Sequence, residues 1–503
     1  MRGIVSWSTY LPYRRLDRTT IAAVAGQGGG RGTRTVAGFD EDPTTMAVEA
    51  ARRARRRSRA DPDVLVFGTV SPAYADRTNA TAIHAALRLP ATTAAFDVGL
   101  SPRSALGGLL TAFGSSRTTI VALADIRTGL AGSADEANGG DAAAAFVIGG
   151  DTADTPVLAE VVATASRTSE FVDRWRTPGE TRSKTWDDKF AEVTYLQLGR
   201  DAWDDALTAA AIATDDISAV AVAAPTARIA ATVGGKFGPP AVDDFAGTIG
   251  QTGAAQPGLL LAHLLEQATP GDVVALVSLA DGADVVVLRT TDALASIQPS
   301  ITVADQAATG APVAYGRFLA WRGTLGVEPP RRPEPARVSA TAAARSTDWK
   351  FGFVGSQDRE SGLINLPPSR VSADGGRTDD AAGIAMADAI GTIATFTVDR
   401  VAYSPSPPVV FAVVDFDGGG RLPIELTDCD AADVETGSVA IGARVEFTFR
   451  RLGTTDGIAN YFWKGRLVRG TNERSEGVPA ARAPAMNSLR TMAMGHGGAA
   501  PAS

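Results

Sequence analysis

One cysteine, Cys429, and three histidines serve a chain of 503 residues. A single thiol excludes an internal disulfide and a structural zinc site built from cysteines. Long apolar runs are missing too, since no stretch reaches the roughly 18 consecutive apolar residues of a membrane span. The opening MRGIVSWSTYLPYRR enters a strand pattern directly, without the apolar core of a signal peptide. The expectation is a cytoplasmic protein with no membrane partner. Positive charge is not in excess either. Against 56 acidic residues stand 48 Lys and Arg, a net charge of -8, which is not the electrostatic footprint of a nucleic-acid binder. The one basic run, ARRARRRSRA at 51–60, follows DPTTMAVEAA at helical spacing and reads as a solvated helix face.

What is present has the balance of a globular protein, 45% hydrophobic and 21% charged. The length favours two or more domains. Residues 1–325 alternate apolar strands with Ala-rich helices, the pattern of an α/β domain. DVLVFG at 63–68 and TTIVALAD at 118–125 are short apolar runs typical of buried strands. FDVGLSPRSALGGLLTAF, at 96–113, reads as a strand end, a turn and the opening of a buried helix. Two stretches echo each other: SALGGLLTAFGSSRTTIVALAD from Ser104 and QPGLLLAHLLEQATPGDVVALVSLAD from Gln256. Each gives small residues, an apolar helix, a polar turn and a buried strand ending in Ala-Asp, which suggests a duplicated core. Residues 326–346, rich in Pro, Arg and Ala, read as a linker. From 347 to 472 the pattern becomes one of alternating strands broken by Gly and Pro turns, a small β-barrel or sandwich. The tail 473–503, of Ala, Gly, Ser and Arg, is expected to be disordered.

Five segments then carry a resemblance. GIVSWSTYLPYRRL, TVAGFDEDPTTMAVEAARRA, GTVSPAYADRTNATAI, GDAAAAFVIGG and IGQTGAAQPGLLLA resemble, in that order, the archaeal-type hydroxymethylglutaryl-CoA synthases of the thiolase superfamily. The resemblance implies a duplicated α-β-α-β-α fold that dimerises through its core and takes the pantetheine arm of CoA in a tunnel. FGFVGSQDRESGLINLPPSRVSADGG, TFTVDRVAYSPSPPVVFAVVDFDGGGR and IANYFWKGR resemble the zinc-ribbon approach and barrel of acyl-CoA-associated OB-fold proteins. The chain thus looks like a natural fusion of the two.

Condensation in that synthase family needs a thiolate to carry the acyl group, a glutamic acid to move a proton, and a histidine and an asparagine to hold the thioester oxygen. On this sequence the glutamate position falls on Val70 and the histidine position on Ala223. The cysteine position falls on Pro102, and a slip in the loop would move it only to Ser101, Ser104 or Ala105. The asparagine-like position is Gln251, which alone keeps a hydrogen-bonding side chain. The glycine loop LADGADVVV remains, with backbone donors near Gly282. Cys429, beside carboxylates that raise a thiol pKa, is no substitute. His84, His263 and His496 read as satisfied or solvent-facing. The ribbon's metal positions fall on Asp358, Ser361, Ser372 and about Gly375, so no zinc is expected. No cofactor is expected beyond a CoA thioester as substrate or ligand.

Two readings follow. In the first, the protein is an enzyme forming or cleaving a carbon–carbon bond beside an acyl-CoA thioester without a cysteine nucleophile. Tyr74 is then the acid/base candidate, Gln251 and Ser104 assist, and Ser101, Arg103 and the Gly282 loop hold an oxyanion or the ligand. In the second, it is a non-catalytic acyl-CoA-binding scaffold in complex with an active homologue. Both imply a dimer, homomeric or with a thiolase-like relative. The OB barrel also admits a nucleic-acid reading, which the acidic balance and VVDFDGGGR oppose.

Overall fold

The computed structural model describes residues 1–469 except Arg59, Ile297, Gln298, Ser300, Asp374 and Gly375. The expected tail, with His496, and the ribbon position Gly375 lie outside the described residues.

Nine strands build the main sheet of the first domain: β1 (Arg2–Tyr10), β2 (Val64–Thr69), β3 (Ala94–Gly99), β4 (Thr119–Asp125), β5 (Ala142–Gly150), β6 (Ala159–Thr168), β7 (Ala219–Ala223), β8 (Val273–Leu279) and β9 (Gly282–Thr290). They form one sheet in the order β7-β8-β9-β6-β1-β5-β4-β2-β3. Its halves repeat each other. In the first, β3 and β4 run parallel to β2, while β5 and β1 follow antiparallel. In the second, β8 runs parallel to β7, β9 and β6 follow antiparallel, and the counterpart of β3 has shrunk to a parallel bridge between Val220 and Ala241. The halves join where Gly3 and Ile4 pair with Glu160 and Ala159. A Cβ on Gly3 would stand 2.0 Å from the Ala159 carbonyl oxygen, so only glycine permits the join.

Helices α1 (Pro43–Ser58) and α2 (Ala80–Ala86) belong to the first half, with α3 (Pro102–Gly114) following β3. Helices α4 (Asp188–Ala210), α5 (Ala227–Gly234) and α6 (Gln256–Gln267) are their equivalents in the second. The central pair, α3 and α6, packs with Ile4, Trp7, Val121, Phe146, Leu276 and Val286 in the core between the half-sheets. Leu259, Leu260, Leu261, Leu264 and Leu265 of α6 are all buried, the all-round apolarity of a helix that meets no water. Each contributes about 1.5–3 kcal/mol of hydrophobic stabilisation. A separate core under α4 and α5 covers the outer face of the second half. The layers are α-β-α-β-α, and the two echoing sequence stretches are α3-β4 and α6-β8.

The second domain is a closed barrel of β10 (Gly391–Asp399), β11 (Val409–Phe416), β12 (Arg421–Leu426), β13 (Arg444–Thr455) and β14 (Ile458–Leu467), in the order β10-β11-β12-β14-β13. Closure removes the unpaired edges that an open sheet of this size would expose. Phe353 fills it, stacked on Trp463 at 5.7 Å and edge-on to Phe447 at 5.4 Å. Segment 326–346 is mostly exposed and carries one short helix, Ala340–Arg345.

The barrel sits on α1, and here the structure corrects the reading of the basic run. Only Arg56 of its described arginines is exposed. Arg52 is buried between the domains, donating to the Ala387 carbonyl at 2.9 Å, Asp388 at 2.5 Å, the Phe447 carbonyl at 3.1 Å and Glu49 at 3.0 Å. Arg53 covers the Tyr10 ring and Arg55 donates to the Leu87 carbonyl. Acidic Asp40, Glu41 and Asp42 complete the joint. Lys464 lies 3.0 Å from Asp40, Arg450 lies 3.2 Å from Glu41, and the Tyr461 hydroxyl donates to Asp42 at 2.7 Å. No described helix is long and apolar enough to cross a membrane.

Candidate functional site

Where β2, β4, β7 and β8 end and α3 and α6 begin, the structure leaves a cavity of about 840 Å³. Val70 follows β2, Pro102 opens α3, Ala223 ends β7, and Gln251 precedes α6; all four line this cavity. Positions read from four separate segments of sequence therefore meet at one place. The segment Asp173–Ser183 closes over it.

The turn into α3 explains Pro102. Leu100 has a left-handed backbone, φ 75°, and is 94% exposed. Ser101 caps the helix by accepting from the Arg103 amide at 3.2 Å, and proline suits the first helical position because its missing N–H has no partner there anyway. Ser101 Oγ also donates to Asp281 Oδ2 at 2.5 Å. The Asp281 amide donates to the Tyr195 hydroxyl at 3.2 Å, and that hydroxyl donates to Asp173 Oδ2 at 2.9 Å. Ser101, Asp281, Tyr195 and Asp173 all line the cavity. Burial raises the Asp173 carboxyl above the usual carboxylate range, against the hydrogen bond from Tyr195. Burial and the neighbouring Asp173 charge raise the Tyr195 phenol, which stays protonated.

A second polar group stands beside Val70. Ser71 Oγ donates to Asp125 Oδ1, and Asp125 Oδ2 accepts from the Ala254 amide at 3.1 Å. Burial raises the Asp125 carboxyl, with Arg127 opposing it. Gly253, at φ 57°, lets the chain pass, since a Cβ would meet Asp125 at 2.2 Å. Arg176 donates to the Val70 carbonyl. The Gln251 backbone is fixed by bonds with Asn138 and Gly140, and its carboxamide has no hydrogen-bond partner among the described residues.

Other expected site residues lie elsewhere. Tyr74 is not among the lining residues; its hydroxyl accepts from the Ala459 amide of β14 at 2.9 Å, joining the two domains. Ser104 is exposed and outside the cavity. Arg103 is consumed by protein groups, donating to both oxygens of Asp284 at 2.9 and 3.3 Å and to the carbonyls of Asp281 and Arg167. Gly282 makes that possible, because a Cβ there would meet the Arg103 guanidinium at 2.4 Å. His84 bonds the Pro90 carbonyl, and His263 packs edge-on to Phe245 and bonds Gln267. Burial, then Asp433 and Asp428, push the Cys429 thiol up to about 12.

In the ribbon, Asp358 accepts from the Ser361 amide at 2.7 Å, the Glu360 amide at 3.0 Å, the Ser361 hydroxyl at 3.0 Å and the Arg377 guanidinium at 3.2 Å. These hydrogen bonds hold its carboxyl well below the usual range. A guanidinium and two amides thus hold this loop. Among the described residues no group of three or more His, Cys, Asp or Glu is placed to hold a metal.

Sequence reasoning missed Asp173, Arg176, Tyr195 and Asp281. The run EFVDRWRTPGE, dense in charge and aromatics but without periodicity, was a usable signal for the first two. Asp281 adjoins a glycine already singled out. Tyr195 sits inside a long helix and carried no signal at all.

Residues 384–450 match the family described as ChsH2, C-terminal OB-fold domain. The hydroxymethylglutaryl-CoA synthase of Pyrobaculum arsenaticum is 28% identical over 339 residues, covering 64% of this chain and 97% of that protein. That of Aeropyrum pernix is 36% identical over 128 residues, 24% of this chain and 36% of that protein. Among solved structures, PksG, an HMG-CoA synthase from Bacillus subtilis, superposes with a TM-score of 0.54 at 17% identity, covering 64% of this chain and 88% of its own. MvaS in complex with 3-hydroxy-3-methylglutaryl coenzyme A gives 0.52 at 19% identity, covering 67% and 94%. The duplicated sheet and the closed barrel agree with these likenesses: a domain of thiolase-like fold, similar to hydroxymethylglutaryl-CoA synthases, is fused to an OB-fold domain that matches the ChsH2 C-terminal family.

Proposed function

We propose that the protein binds an acyl-CoA thioester in this cavity and acts on the adjacent carbon–carbon bond without forming an acyl-enzyme. The observation that carries the reading is the convergence of Val70, Pro102, Ala223 and Gln251 on a cavity that has lost three family groups yet holds its own acid–base residues. Solved neighbours of the same fold were captured with CoA and with a hydroxyacyl-CoA, which supports the ligand class.

A retro-aldol step fits such a site. A base takes the proton of a β-hydroxyl, the bond between α- and β-carbons breaks, and its electron pair moves onto the thioester oxygen as an enolate. The proton then returns to the α-carbon and a carbonyl compound leaves, so no water or further reactant is consumed. Asp173 is the base in this proposal, because a carboxyl raised by burial can both take and return a proton. Tyr195 positions it, and the Gln251 carboxamide donates to the enolate oxygen. Tyr74 has no place in this scheme, being held by the barrel.

A scaffold role is the second reading. Edge strand β3 leaves Phe96 56% exposed, with Leu100 94% exposed just beyond it, an open strand suited to pairing with another chain. Mass spectrometry of the full chain incubated with a panel of β-hydroxyacyl-CoA thioesters separates the two. Cleaved products that vanish in Asp173→Asn support the enzyme; ligand bound but unchanged supports the scaffold. Failure to bind any CoA thioester overturns both, and an acetyl adduct between Ser101 and Ala105 overturns the non-covalent mechanism.

A further inference from the structure

Beside the cavity the surface carries an apolar groove that the scheme above does not use. Short strands Arg174–Trp175 and Lys184–Thr185 pair into a hairpin, and Val172 and Trp186 flank it just before α4 begins. With Trp175 and Phe190 these two enclose about 380 Å³. Val172, Trp186, Phe190 and, one turn further along α4, Val193 are all exposed, Trp186 by 72%. Large apolar side chains gathered in water mark a docking surface. Trp175 also lines the cavity, so whatever fills the groove rests against a wall the two share. The rim of the groove is acidic. Glu170, Asp187 and Asp188 are exposed there, against the exposed Lys189. The other charges of 170–193 are engaged elsewhere. Arg174 pairs with Asp135, Lys184 with Glu180 and Glu192 with Arg228, Asp173 holds Tyr195, and Arg176 and Arg182 line the cavity.

The chain itself carries the complement. Near its C-terminus Pro484 and Gly495 bracket AMNSLRTMAM, in the order of helix start and stop signals. Met486, Leu489 and Met492 recur there at the spacing of one helical face. Arg482 and Arg490 supply its charge, and no acidic residue follows Glu476. Three of the six methionines of the chain fall in this stretch, and thioether sulfur makes favourable contacts with aromatic rings. An amphipathic segment with such anchors is the usual occupant of an apolar groove. Reach is sufficient. Arg469, the last described residue, lies 3.9 Å over the Tyr13 ring. Leu16, three residues on, shares a small core with Ala137, and Asp135 beside it bonds Arg174 at 2.8 and 3.0 Å. The groove is thus a few side-chain contacts from Arg469, whereas the chain from there to Met486 can span up to roughly 55 Å. We propose that residues 485–494 dock in cis on the groove of Val172, Trp175, Trp186 and Phe190, with Met486, Leu489 and Met492 as anchors and Arg490 on the acidic rim. This inference does not depend on what the cavity binds.

Photo-crosslinking of the full chain, produced with photo-methionine in place of methionine, tests it. Mass spectrometry should find Met486, Met492 or Met494 joined to Trp175, Trp186 or Phe190. In an equal mixture of isotopically light and heavy chains, these links should stay within one chain. Trp186→Ser combined with Phe190→Ser should lower their yield about fivefold or more, the scale of losing a central aromatic anchor. Thermal melts confirm that this variant is folded. Arg490→Glu should lower the yield as well, and more so at low salt, where repulsion from the rim is less screened. Links from the tail to other surfaces only, or no links at all, overturn the proposal. Links between light and heavy chains overturn docking in cis and give the groove to a second copy. A yield unchanged by the double substitution overturns the assignment to this groove.

Discussion

Pro102 and Arg103 stand side by side at the start of α3, and each does a structural task where chemistry was expected. Arg103 holds Asp284, which is buried, together with the loop that follows β8. Removing one partner of a buried pair leaves an uncompensated charge, so Arg103→Ala should cost roughly 3 kcal/mol in denaturant unfolding. It should leave acyl-CoA affinity unchanged, which calorimetry on the folded variant reads. Cys429 allows a second test. With its thiol pushed to about 12, it should resist iodoacetamide at pH 7.5 in the native protein and react within minutes in denaturant, as peptide mapping would show. That Val70, Pro102, Ala223 and Gln251 belong to one place was legible because each lies in a segment with its own signature. The partners of Tyr74 and Arg103 were not, because Ala459 lies 385 residues from Tyr74 and Asp284 lies 181 from Arg103. No local pattern encodes such a pairing.

At the scale of elements, α3-β4 and α6-β8 could be read from their shared order of apolar helix, polar turn and buried strand. The face of α1 could not. Its arginines look solvated until the barrel carbonyls and Asp388 come to meet them. Glu49, in the middle of α1, gives this joint a pH dependence. Burial alone would raise its carboxyl, but Arg52, Arg466 and Arg53 pull it down to about 2. A depressed carboxyl adds stability above its unfolded value near 4.5, and that stability is lost as pH falls through about 2. Glu49→Gln should therefore lower stability at pH 6 by roughly 3 kcal/mol and flatten the decline between pH 4.5 and 2. Denaturant titrations at pH 6 and pH 3 check both limbs.

For the whole molecule, the open side of the sheet is β3, and its exposed Phe96 and Leu100 lie on the edge that a second chain would extend. We expect a dimer in solution, formed by two copies or with a related chain. Phe96→Glu together with Leu100→Glu should dissociate it in light scattering, because paired strands tolerate neither buried charge nor repulsion between like charges. The barrel is not separable in the same way. Its core and the outer face of the first half-sheet form one continuous apolar cluster through α1.

That shared core also puts a clock on synthesis. Tyr10 and Arg450, which meet at 2.9 Å, are 440 residues apart. At about 5–20 residues per second, the ribosome needs roughly 20–90 s to bring the second to the first. For that time the sheet and α1 are made while the surface that will receive β13 and β14 has no cover. Asp40, Glu41 and Asp42 remain hydrated meanwhile, and their charge guards the bare apolar face against association until the barrel arrives.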